Sequence, residues 1–163
     1  MLSMQTRLTH VLILIFTLFF SSQAYSDQLA IKAGFILDVE SGEIKTNQII
    51  LIDGNQIKEI TSDLPEGYKT IDLSDKYIVP GLFDMHTHLV GVLDKTYFSS
   101  LFQSPHRAMI GGIVNANKTL MAGFTSVRNV GAPDFMDVAL RNSINANEVP
   151  GPRMKVSGPS IGI

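Results

Sequence analysis

From residue 29 to residue 79, apolar and polar positions alternate in short runs. Leu29 to Asp38, Asn47 to Ile52, Gln56 to Ile60 and Lys69 to Leu73 are rich in β-branched and apolar residues spaced by polar ones. That is the period-two pattern of strands with one face packed and one face wet. Between them, Val39 to Glu43 reads as a turn and Leu64 to Gly67 as a loop. Asp53-Gly54-Asn55 is a hairpin signal, because glycine accepts positive φ. Ser74-Asp75-Lys76 reads as a turn into Tyr77-Ile78-Val79. The expected product is a small antiparallel β unit over residues 28–79.

The pattern changes after Pro80-Gly81. An apolar strand runs from Leu82 to Leu89, and the stretch from Leu89 to Gln103 reads as a loop. Ser104-Pro105 marks a helix start, since Ser is favoured at the N-cap and Pro at the first helical position. The helix then runs to Met121, with Ala108, Met109, Ile113, Ala116, Leu120 and Met121 as its apolar stripe. Gly111-Gly112 weakens it, each glycine costing up to about 1 kcal/mol against alanine. Phe124 to Gly131 is the next strand, Pro133 and Asp134 open a second helix to about Asn147, and Arg153 to Gly158 is a third strand. Strand, helix, strand, helix, strand is the order of parallel βαβ units.

The chemistry is concentrated at Asp84-Met85-His86-Thr87-His88. Strict alternation puts Asp84, His86 and His88 on one face, with the histidine Cα atoms about 6–7 Å apart. Two imidazoles from that separation can converge on one cation at metal–nitrogen distances of about 2.0–2.1 Å. Burying three such groups without a partner is costly, so that face meets water or a metal. A His-x-His pair alone is a weak signal, and an ordinary half-buried strand histidine accounts for most instances.

Val79-Pro80-Gly81-Leu82-Phe83-Asp84-Met85-His86-Thr87-His88 resembles the first barrel strand of the metal-dependent amidohydrolases, in particular the imidazolonepropionase-like and Xaa-Pro-dipeptidase-like group. Ala122 to Asn129 resembles the second strand, and Gly151-Pro152-Arg153 with Ser157-Gly158 the approach to the third. The resemblance implies an α/β fold: a small N-terminal β-sandwich portion over 27–80, then the first two to three βα units of an incomplete (β/α)8 TIM barrel over 81–163. It implies that His86 and His88 are metal ligands, with zinc as the metal, one or two ions in the complete enzyme, and hydrolysis of C–N bonds such as those of dipeptides as the reaction. Asn129 departs from the group, which usually has Asp there. Asp84 is a candidate either to orient a histidine through its second ring nitrogen or to serve structure alone. Arg128 reads as a salt-bridging residue at a strand end or a substrate contact, and His106 as a surface or capping residue.

Composition narrows the rest. Net charge is −2 with 17% charged residues, which gives no basic footprint for nucleic acid or an anionic membrane. There is no cysteine, so disulfides, thiolate metal sites and cysteine nucleophiles are excluded. Residues 1–26 have the order of a cleaved secretory signal: Arg7 and His10, an apolar run from Val11 to Phe20, then small residues at Ala24 and Ser26. That run is shorter than the roughly 20 residues a membrane span needs, so a periplasmic product without a stable anchor is expected. A complete (β/α)8 barrel takes about 250 residues, and no histidine follows His106 in the 163 residues. The expectation is therefore an N-terminal fragment, inactive by itself, with the general base and remaining ligands outside it. The rival expectation is an exported, non-enzymatic β-rich binding module in which His-x-His is incidental.

Overall fold

The computed structural model describes residues 28–91 and 104–161. The expected signal segment and most of the loop before Ser104 lie outside the described residues. The chain divides into two compact units between Val79 and Pro80.

The first unit is one four-stranded sheet. Its strands are β1 (Gln28–Leu37), β2 (Ile44–Asp53), β3 (Gln56–Thr61) and β4 (Lys69–Ile78), in the spatial order β3-β2-β1-β4. Both hairpins form where turn chemistry placed them. Asp38 organises the first: its Oδ1 accepts the backbone N–H groups of Glu40 and Ser41, and its other oxygen meets Lys45 Nζ at 2.7 Å. Gly54, at φ +59°, opens the two-residue connection between Asp53 and Gln56. Alternation along β1 and β2 supplies a small apolar cluster to each face. Ala30, Ile49 and Leu51 form one, and Ala33, Ile36 and Ile50 the other.

Two expectations are corrected here. The sheet is mixed, because β4 runs parallel to β1. Ser74-Asp75-Lys76 is not a turn between two strands but part of β4. Ala33 pairs with Leu73 and Phe35 with Tyr77, so two steps on β1 face four on β4. The turn-like residues are thus absorbed as a bulge, where β4 bows against Gly34 so closely that a Cβ there would strike the Ser74 carbonyl. Beyond it the ladder resumes, with the Phe35 and Tyr77 rings stacked at 4.3 Å.

The second unit has the expected βαβαβ order. Strands β5 (Leu82–Thr87), β6 (Phe124–Asn129) and β7 (Arg153–Val156) form a parallel sheet in that order. Helices α1 (Pro105–Met121) and α2 (Met136–Asn145) cover one face, and Leu89, Ala116, Val127, Leu140 and Met154 make the core between them. Pro105 stands at the start of α1 as expected, but the Ser104 hydroxyl caps no backbone N–H and meets the exposed His106 ring instead, at 3.3 Å. Both residues of the Gly111-Gly112 pair are buried, and α1 passes Val90 and Leu140 at Gly112. The second helix begins later than Pro133. Asp134 and Phe135 take positive φ within a short 3-10 turn, and α2 starts at Met136.

Candidate metal centre

β5 carries His86 near the C-terminal end of the sheet, and His88 follows directly after the strand. Thr87 is buried against the neighbouring strand, its hydroxyl donating to the Arg128 carbonyl, and its own carbonyl accepts the Val130 N–H. His86 and His88 flank it and are exposed, with ring centroids 5.5 Å apart and planes at 67°. The two rings thus lie side by side. His88 Nδ1 sits 3.4 Å from the Gly131 carbonyl oxygen. A carbonyl only accepts, so this contact calls for a hydrogen on Nδ1; in the neutral ring that leaves Nε2 with its lone pair.

Asp84 does not join them. It pairs with Val127, and Thr87 pairs with Asn129, so three residues of β5 advance against two of β6. This bulge reverses the alternation between Asp84 and the histidines. Val127 and Asn129 are buried on the helix-covered side, and paired residues of a parallel sheet face the same way, so Asp84 and Thr87 share that side. The Asp84 carboxylate accepts the backbone N–H of His86 at 3.0 Å rather than a ring nitrogen. The salt-bridge reading of Arg128 is likewise corrected. It forms no ion pair among the described residues, and its Nε donates to the Met85 carbonyl at 2.7 Å, at the bulge itself.

Phe83, Met85, Ser126, Arg128, Arg153 and Lys155, at alternate positions of the three strands, line a cleft of about 380 Å³ together with Val127, Met154 and Asn145. Neither histidine lines it.

The donor chemistry fits part of a metal shell. Two neutral imidazoles side by side are suitable ligands for a borderline divalent ion, and catalytic zinc takes three protein ligands plus water. Among the described residues, no group of three or more His, Asp or Glu side chains is arranged to hold an ion. His86 and His88 therefore fit two positions of such a shell.

A buried polar cluster beneath the histidines was not legible in the sequence. Asn129 and Asp137 are fully buried and Asn115 nearly so. They come from β6, α2 and α1, residues too far apart in the chain for any spacing to announce them. Their only sequence-level signal is Asn129 itself, at the position where the resemblance expects Asp.

This fold and this strand end define a class. Residues 77–163 match the amidohydrolase family, and the chain belongs to that family. Among solved structures it is similar to a Xaa-Pro dipeptidase with methionine bound in its active site, at 31% identity and a TM-score of 0.75, covering 82% of this chain and 34% of that one. It is also similar to a prolidase complexed with N-methylphosphonate-L-proline, at 30% identity and a TM-score of 0.71, covering 80% and 32%. A dihydroorotase from Trichlorobacter lovleyi is 44% identical over 63 residues, which are 37% of this chain and 15% of that protein. The chain spans about a third of the length of these solved structures. The family match does not favour the rival reading of a non-enzymatic β module.

Proposed function

We propose that this chain carries the first two ligands, His86 and His88, of a divalent metal centre in a hydrolase of C–N bonds, with dipeptide-like amides as substrates. The observation that supports it is the side-by-side pair of imidazoles at the C-terminal end of a parallel sheet, where barrel enzymes build their sites. When bound, the metal would polarise the scissile carbonyl and acidify a water. The chain's own residues hold the ligands in place: Thr87 locks the strand between them, and the Gly131 carbonyl turns the His88 ring. The similarity to prolidase structures supports the substrate class.

The same proposal holds that the first sheet belongs to a β-sandwich and the second to a (β/α)8 barrel. With two ligands among the described residues, the 163-residue chain binds zinc weakly and turns over no substrate by itself. Export to the periplasm is part of the proposal, supported by the order of residues 1–26, and N-terminal sequencing of the secreted product tests it.

Equilibrium dialysis of the chain against zinc tests the metal centre. His86→Ala and His88→Ala should each weaken binding by more than the roughly 10–100-fold typical of losing an outer partner. Unchanged zinc binding in both variants would remove the proposal.

A further inference from the structure

We infer that Asn129 is a positioning residue for His88, with Asp137 deciding which way its amide faces. The inference rests on the reading of His88 as a metal ligand. Asn129 sits at the end of β6, fully buried. Its Oδ1 accepts the backbone N–H of Leu89, the residue after His88, at 2.8 Å. Its Nδ2 donates to the Gly131 carbonyl at 3.2 Å and to Asp137 Oδ2 at 3.3 Å. The Gly131 carbonyl is the group that faces His88 Nδ1. One side chain thus holds both the peptide that follows His88 and the acceptor that selects its tautomer.

The orientation of this amide is dictated by its neighbours. The Gly131 carbonyl and the Asp137 carboxylate are acceptors, so the NH2 must face them; the Leu89 N–H is a donor, so the oxygen must face it. Asp137 is itself anchored, its Oδ2 accepting the Gly158 N–H at 3.1 Å. Leu89, Gly131 and Gly158 follow β5, β6 and β7 respectively, so the pair ties together the exits of all three parallel strands. From the other side, Asn115 Nδ2 of α1 donates to the Leu89 carbonyl at 2.8 Å and the Gly91 carbonyl at 3.0 Å. Both backbone polar groups of Leu89, its N–H and its carbonyl, are therefore held by buried asparagines. A carboxylate at position 129 would meet the Asp137 carboxylate and offer Gly131 no hydrogen. That is a physical reason for Asn here.

Long-range 1H–15N spectra of the metal-free 163-residue chain read the tautomer directly. The expected result is His88 with its hydrogen on Nδ1; a hydrogen on Nε2 would overturn the inference. In N129D, the Nδ1–H population of His88 should fall, and the zinc dissociation constant should rise about 10–100-fold, as for other outer partners of metal-bound histidines. A folded N129D with both unchanged overturns it. Should N129D not fold, side-chain amide exchange in the unsubstituted chain decides. Slow exchange of the Asn129 Nδ2 hydrogens and their shift on adding zinc supports the assignment, and exchange as fast as that of the exposed Asn147 overturns it. A tautomer lost in N129D while no form of the chain binds zinc would keep the clamp and remove the metal reading.

Discussion

Asp84 lies opposite Val127 in the parallel pair of β5 and β6, and Val127 is 3% exposed beneath the helices. That pairing sends the Asp84 carboxylate away from the rings of His86 and His88, although only one residue separates Asp84 from His86. Asp84→Asn should therefore leave zinc affinity within a few-fold of the parent. Asp84→Ala should cost about 1 kcal/mol of stability, through the lost hydrogen bond to the His86 N–H. Equilibrium dialysis and urea unfolding check the two halves. A loss of zinc binding in the Asn variant equal to that of His88→Ala would place Asp84 in the ligand shell after all.

Gly112 tests close packing of α1. A Cβ there would lie 3.4 Å from the Val90 Cα and 3.5 Å from Leu140 Cδ2, ordinary contact distances. Gly112→Ala should then be neutral or stabilising by up to about 1 kcal/mol, the helix-propensity gain. Gly112→Leu should destabilise by about 1–3 kcal/mol through overpacking. Opposite signs for the two variants in urea midpoints are the expected signature.

Leu140 is fully buried at the centre of the second unit's core. Leu140→Ala should destabilise by about 2–5 kcal/mol. Because Asp137 is one turn earlier on α2, the variant should also loosen the Gly158 contact, read as faster amide exchange at Gly158.

The first hairpin carries a pH-dependent contact. The hydrogen bond from Lys45, then those from the Ser41 and Glu40 N–H groups, hold the Asp38 carboxyl down at about 2, from 3.8. A depressed carboxyl pKa gives stability that is present above the unfolded-state value and lost as pH falls toward the folded one. The Asp38 contribution should therefore fade between about pH 4 and pH 2, and be small, since the group is exposed. Lys45→Met should move the Asp38 titration back up, followed by carboxyl carbon shifts. An unshifted titration in that variant would assign the depression to the backbone N–H groups alone.

Local patterns carried the strand and helix order well. The turns at Asp38 and Gly54 and the Pro105 helix start are short-range chemistry, readable from neighbours in the chain. The strand faces were legible only where the ladder is regular. At Asp84 to Thr87 and at Ser74 to Lys76 an extra residue or two is accommodated by the partner strand, and nothing in a single strand's alternation records its partner's step. The same limit hid the contact of Arg128, since the Met85 carbonyl sits at such a step. The Asn115, Asn129 and Asp137 cluster is assembled from three elements, so its residues read singly as unremarkable polar positions. The two histidines were legible as a pair because both come from one segment.

The placing of β1 between β2 and β4 has a consequence for biosynthesis. The strand made first among these four occupies an interior lane, with one neighbour adjacent in the chain and the other about forty residues downstream. Until Lys69–Ile78 emerges from the ribosome, one edge of Gln28–Leu37 stays unzipped and open to wrong pairings. A pause in translation while Lys69–Ile78 is still inside the exit tunnel should therefore raise aggregation of the nascent chain more than one placed after that strand has emerged.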